Sequence, residues 1–229
     1  MSVPRTARAR ARAEITREIT DAARRQLAES GAPALSLRAI ARELGMVSSA
    51  LYRYFPSRDE LLTTLIIEAY NALGDAVEHA VATETAPRAQ WRALSNAVRD
   101  WAIAHPHEYA LVYGSPVPGY RAPQTTVAPA SRGPLAALGI VHRAWQSGTL
   151  ATPAETLTPE LETQSALIAA FLNSGMPEPA VARAMVGLTQ LFGVVTFELF
   201  GQLDNTMDPA GPFFAYSVET MADLIGLTE

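Results

Sequence analysis

Apolar residues recur at helical spacing through most of the chain, and Gly, Pro and hydroxyl residues cut the pattern into segments. Ile15, Ile19, Ala23 and Leu27 fall four apart and predict a helix from about Ala11, ended by Ser30-Gly31, with Pro33 in the connection. Ser36 is suited to cap the next helix, whose Leu37, Ile40, Ala41 and Leu44 form one apolar stripe. Gly45 then supplies a residue tolerant of positive φ at the helix end. Val47, Leu51 and Phe55 repeat every four residues, predicting a helix Ser48–Phe55 that packs back on its predecessor through these three. Its other face carries Ser48, Ser49, Tyr52 and Arg53, with Tyr54 at the edge. Pro56 disfavours the α conformation at Phe55. Ser57 and Glu60 have the spacing of a capping box.

The helix that starts there keeps its repeat through Leu61, Leu62, Leu65, Ile66, Ala69, Leu73, Val77 and Ala80, with Gly74 as the one mild breaker. Thr85-Ala86-Pro87 marks a boundary. A helix from Pro87 carries Trp91, Leu94, Val98 and Trp101 on one face, and His105-Pro106 breaks it. Glu108 to Tyr113 reads as a short aromatic helix, followed by a Pro- and Gly-rich loop from Gly114 to Pro134. That loop exceeds the usual connection length. Helices are then expected over Leu135–Gln146, with Leu138, Val141, His142 and Trp145 on one side, and from Thr158-Pro159 through Phe171. From residue 180 the run AVARAMVGLTQLFGVVTFELFGQL is apolar on more than one face, and Gly187, Gly193 and Gly201 suit close helix approach. A last helix starts near Phe213. The final two helices, about 180–202 and 212–226, are expected to pair with their copies in a homodimer; a buried hairpin within one subunit is the competing reading.

The pattern is all-α: a three-helix unit over 1–56 with a basic N-terminal arm, and a larger helical body over 57–229 that opens with the long helix 57–83. Charge divides the same way. Residues 1–58 hold 11 Arg and 5 acids, +6; residues 59–229 hold 7 Arg and 18 acids, −11, and the two sum to the net −5. A basic head on an acidic body suits a polyanion-binding module joined to a ligand or partner domain. Arg5, Arg8, Arg10 and Arg12 read as a flexible arm able to follow phosphates. The absence of Cys excludes disulfides and thiolate chemistry. No apolar run approaches a membrane span, and the Arg-rich start has no apolar signal core, so a cytoplasmic address without membrane contact is expected.

On these residues alone, hydroxyls, phenols and an Arg on an exposed helix face suit DNA, and an ordinary solvated face is the bland alternative. The string LGMVSSALYRYFPSRDELL resembles the DNA-binding signature of the TetR family of transcriptional repressors, over roughly residues 10–62. The resemblance implies a helix-turn-helix homodimer on a near-palindromic double-stranded operator, with Ser36, Arg38, Ser48, Ser49, Tyr52, Tyr54 and Arg58 at DNA-touching positions. Tyr52, Tyr54 and Arg58 would hold phosphates; Arg38, Ser48 and Ser49, with Arg53 beside them, are the candidates for base readout. Val47 stands where a Ser or Thr cap is common, so the cap is expected to move to Ser48 and shift the register by one. Trp101, His105-Pro106, Tyr109 and the run Gly114 to Tyr120 resemble the WHG-type C-terminal regulatory domain, over roughly 87–200.

No P-loop, dinucleotide fingerprint, nucleophile elbow or metal-binding His pair occurs, so neither an enzyme nor a cofactor is expected. Trp91, Trp101, Tyr109, Tyr113, Trp145 and Phe171 are candidates to line an apolar effector cavity, with His105 or His142 as polar anchor. The same aromatics serve equally as core. The rival to a ligand-released repressor is a helical small-molecule binding protein with a vestigial or protein-recruiting reader.

Overall fold

A computed structural model describes residues 7–151 and 154–228. Among them it has ten α-helices and no strand beyond one isolated bridge between Leu150 and Leu227. The helices are α1 (Ala7–Ser30), α2 (Leu37–Glu43), α3 (Ser48–Leu51), α4 (Arg58–Ala82), α5 (Pro87–Ala104), α6 (Pro106–Tyr113), α7 (Val127–Gln146), α8 (Pro159–Phe171), α9 (Glu178–Leu199) and α10 (Ala210–Ile225). The all-α expectation holds. The chain divides into two compact units: residues up to 70 with 105–129, and residues 71–104 with 130 onward. The first part of α4 belongs to one unit and the remainder to the other.

In the first unit α1 starts at Ala7, so Arg8, Arg10 and Arg12 ride on a helix and not in the flexible arm expected of them. Arg5 of that arm lies outside the described residues. The core joins Ile19, Ala23 and Leu27 of α1, Ile40 and Ala41 of α2, Leu51 and Phe55, and Leu61, Leu62 and Leu65 of α4. Each fully buried Leu or Ile contributes roughly 1.5–3 kcal/mol. Val47 was expected in this core and is 70% exposed. It precedes α3 in extended conformation, φ −69° and ψ 137°, so the four-residue repeat does not carry back to it.

Residues 105–129 belong to this unit through polar ties as well as packing. Leu111, Val117 and Tyr120 lie against the core. Arg24 of α1 reaches Asp21 and Glu68, each at 2.7 Å, and Glu108 of α6 at 2.9 Å. Burial pushes the Glu68 carboxyl above its usual range, although Arg24 beside it opposes this. The Tyr120 hydroxyl shares a 2.9 Å hydrogen bond with Thr63.

The loop expected to reach Pro134 ends earlier, because α7 begins at Val127. Pro129 falls in the first turn, where its missing N–H has no helical acceptor to lose. Pro134 is inside the helix and does lose one. The turn before it is tied to α4: the Arg132 guanidinium donates to Asp75 at 2.5 Å, to Glu78 at 2.7 Å and to the Asn71 carbonyl at 3.0 Å. Gly74 makes room for this. A Cβ there would stand 2.7 Å from Arg132 Nε, so the glycine that weakens α4 as a helix is the seat of the guanidinium.

In the second unit α5 is anchored on both sides of Trp91, whose buried Nε1 donates to the Val218 carbonyl at 3.1 Å. Arg88 and Arg92 both donate to Glu219, and Arg99 pairs with Glu198 while lying 5.1 Å over the Phe214 ring. Helices α9 and α10 pack through Leu188, Leu191 and Val195 and through Phe214, Val218 and Ile225, all buried. Of the three glycines expected at close approaches, Gly187 is at one: its Cβ would lie 2.6 Å from Ile225 Cδ1. Gly193 has nothing within 4 Å, and Gly201 sits at φ +77° in the turn after α9. Contrary to the reading that no run approaches a membrane span, α9 is long and apolar enough to cross one, with 39% of its most apolar window buried. Its apolarity serves an inner and an outer face.

Gly187→Ala should therefore overpack the α9–α10 contact and cost about 1–3 kcal/mol, read as a lower midpoint in denaturant at unchanged slope. Hydrogen bonds from Arg92 and Arg88 hold the Glu219 carboxyl down to about 2, from an ordinary 4.5. Its ionised form is thus favoured by folding. That stabilisation is complete above the ordinary value and is lost as pH falls toward about 2. Glu219→Gln should flatten the acid limb of a stability-against-pH curve in this window.

Candidate nucleic-acid interface

The α2–α3 pair is framed by backbone chemistry. Ser36 caps α2, its Oγ accepting from the Ala39 N–H at 3.4 Å, and its own N–H donates to Gln26 Oε1 at 3.1 Å. At the far end Met46 N–H closes on Ala41 O at 2.8 Å and Gly45 N–H on Arg42 O at 3.2 Å, with Gly45 at φ +66°. This paired closure is the glycine-ended helix stop expected from the sequence. Val47 is the cap residue of α3 and makes no side-chain bond there, so the cap does not move to Ser48. The α-helix is Ser48–Leu51, shorter than the Ser48–Phe55 expected. The chain continues in tighter turns, Arg53 N–H to Ala50 O at 3.2 Å and Tyr54 N–H to Leu51 O at 2.8 Å, as it approaches Pro56. Ser57 Oγ accepts from Glu60 N–H at 3.1 Å and starts α4.

The candidate DNA residues separate into two groups by what their polar atoms already do. Arg38, Ser48, Ser49, Tyr52 and Arg53 are exposed. Among the described residues Arg38 and Arg53 have no carboxylate partner. Ser36 and Arg58 are committed to the frame. Arg58, placed at a phosphate by the resemblance, turns inward: Nε donates to Leu35 O at 3.2 Å and Nη2 to Ala32 O at 2.8 Å and Pro33 O at 3.3 Å. It ties the start of α4 to the α1–α2 connection. Arg25 is likewise engaged, with Glu43 at 2.6 Å. Tyr54 is half-buried, and the Arg12 guanidinium lies 5.2 Å over its ring while donating to the Arg53 carbonyl at 3.4 Å. Residue-by-residue reading missed this contact, because nothing local joins positions 41 apart.

The eight candidate effector residues fall in both units. In the first, Tyr109 is buried with Tyr113 5.0 Å away, and Tyr70 meets Tyr113 edge-on at 5.9 Å. Burial pushes the Tyr113 hydroxyl far above its usual range. His105 is exposed at the start of α6. In the second, Trp91 and Trp101 are buried, Trp145 and His142 half-buried. His142 Nδ1 and Ser95 Oγ are buried and have no hydrogen-bond partner among the described residues. Phe171 does not line an interior: it is 79% exposed, because α8 buries Ser165 and Ala169 and residue 171 falls on the other face. The outer faces of α9 and α10 form an apolar groove of about 500 Å³, lined by Val186, Gly193, Phe197, Tyr216 and Leu224 among others.

Residues 19–65 match the family described as bacterial regulatory proteins, tetR family, and residues 91–221 match the tetracyclin repressor-like C-terminal domain. The latter covers most of the stretch that resembles the WHG-type domain, and its description names no such subtype. The chain is 41% identical over 217 residues, 90% of each protein, to the HTH-type transcriptional regulator Rv1816 of Mycobacterium tuberculosis. It resembles the crystal structure of SCO4313, described as a regulatory protein, at a TM-score of 0.77 and 32% identity over 96% of this chain and 100% of that one. A protein of unknown function from Rhodococcus sp. RHA1 superposes at 0.71 with 26% identity over 94% and 96%.

The inward role of Arg58 is separable from DNA contact. Arg58→Ala should lower the stability of the free protein by about 1–3 kcal/mol in a thermal melt. Arg53→Ala, on the open face, should stay within about 0.5 kcal/mol of the parent.

Proposed function

The chain belongs to the TetR family of transcriptional regulators, with a helix-turn-helix DNA-binding region, and from that premise we propose that it is a homodimeric, effector-released repressor of a near-palindromic operator. The observation that supports this reading is the exposed face of Arg38, Ser48, Ser49, Tyr52 and Arg53, on which the two arginines make no ion pair among the described residues. Each subunit presents this face to a major groove, with half-sites about 34–36 Å apart or a multiple of it. Arg38, Ser48, Ser49 and Arg53 read base edges; Tyr52 and Tyr54 hold phosphates. Ser36 and Arg58 act by holding the frame. The compartment is the cytoplasm, where a regulator of this family meets its DNA.

The dimer forms through the outer faces of α9 and α10. A groove with Phe197 53% and Tyr216 70% exposed favours a second copy as cover. The effector binds in the helical body near His142, as a mostly apolar molecule with a polar group for the unpartnered Nδ1. Helix α4, shared by both units, is the covalent route from effector to reading face. Release requires the effector to bind the non-DNA-binding state more tightly.

The test is selection of genomic fragments followed by binding across a salt series. A recovered palindrome bound with a slope of several phosphates, about 0.9 per contact, is the expected result. Tyr52→Ala that leaves specific binding intact counts against the interface. For the dimer, Phe197→Glu with Tyr216→Glu should give monomers by sedimentation at micromolar protein, where the parent stays dimeric.

A further inference from the structure

We propose that Arg12 of α1 is a DNA-phosphate contact preset by the Tyr54 ring, flanking the C-terminal end of the reading turn. The proposal rests on the DNA-binding reading and adds to it a residue outside the helix-turn-helix. Residues 7–14 of α1 are exposed throughout, so nothing buries the Arg12 side chain. Its guanidinium nevertheless has a defined place, 5.2 Å over the Tyr54 ring and 3.4 Å from the Arg53 carbonyl. That carbonyl is one of the acceptors left over where the reading turn ends. The contact brings a cation of α1 to the end of the element that faces the groove, next to Arg53.

Three features suit this position to a phosphate. First, Arg12 makes no ion pair among the described residues, unlike Arg24, Arg25 and Arg58, which are engaged by carboxylates or carbonyls. Its one side-chain hydrogen bond leaves most of the donor fork open. Second, stacking on a ring restricts the guanidinium before any ligand arrives, so less freedom is lost on forming a forked bond to an anion. Third, there is room: an open groove of about 690 Å³ beside it is lined by Ala9, Ala13, Thr16 and Arg17, and its two carboxylates, Asp21 and Glu68, are both paired with Arg24. The positive charge also offsets the carbonyl dipoles at the end of the reading turn, which would otherwise repel a phosphate there.

The experiment is a salt series of fluorescence-anisotropy titrations on the full-length protein, with the selected operator and with a scrambled duplex. Arg12→Ala should weaken binding roughly tenfold at moderate salt, by a similar factor on both duplexes, and reduce the slope of log affinity against log salt by about 0.9. Arg12→Lys should keep the slope and recover part of the affinity, since it retains the charge without the stacked planar fork. Tyr54→Leu should weaken binding more than Tyr54→Phe, which keeps the ring and loses only the hydroxyl, and that difference should shrink in the Arg12→Ala background, because the ring then has no guanidinium to hold. Melting of the free Arg12→Ala protein should match the parent. If the unaltered protein binds the operator and Arg12→Ala matches it in affinity and slope, this proposal is overturned alone. A loss confined to the operator would also overturn it, as evidence of base readout. If the unaltered protein binds neither duplex, the DNA-binding reading fails first.

Discussion

The reading unit depends on how its arginines are spent. A guanidinium is never neutral in a protein, so each must be solvated, paired or supplied with acceptors. Arg58 meets that requirement inside the frame, bonding the carbonyls of Ala32, Pro33 and Leu35 and so fixing where α2 begins relative to α4. Arg24 does the same for α1, α4 and α6 through Glu68 and Glu108. With these interior needs satisfied, Arg38 and Arg53 are left exposed, with no ion pair among the described residues. Part of the basic excess of the first 58 residues is thereby left exposed on the α2–α3 face.

The second unit uses the same chemistry for packing. Arg88, Arg92 and Arg99 reach from α5 to carboxylates on α10 and α9, bracketing the buried Trp91. Surface ion pairs alone contribute little, but these are bidentate or shared and accompany a buried indole that donates to a carbonyl. Gly187 then lets Ile225 lie against the α9 backbone. With the inner faces of α9 and α10 so closely joined, their large residues Phe197, Tyr216 and Leu224 remain outside. An exposed apolar surface of that kind is one that protein partners commonly cover.

Much of this was legible in the chain. Leu37, Ile40 and Ala41 were buried where their spacing put them, Gly45 took the left-handed turn, and Ser36, Ser57 and Thr158 capped their helices. Periodicity says which residues of a helix lie together, but not where the helix begins or how far a neighbour extends to cover it. Val47 continued the repeat of Leu51 and Phe55 yet lies before the helix. Phe171 looked like core and faces outward because the short α8 buries smaller residues. Pro134 looked like a loop end and lies inside α7, in a helix tied down by Arg132.

The sequence by itself determined the helical class, the glycine-ended turn between α2 and α3 and the exposure of Ser48, Ser49, Tyr52 and Arg53. These follow from local spacing, caps and backbone tolerance, which act over a few residues. Only the tertiary structure decided which polar side chains remain available. Ser36 and Arg58 are turned to the frame, Arg38 and Arg53 are left open, and Arg12 is brought across 42 positions to the ring of Tyr54. The reason is that a donor's availability depends on acceptors contributed by distant parts of the chain, and those meet only when the helices pack.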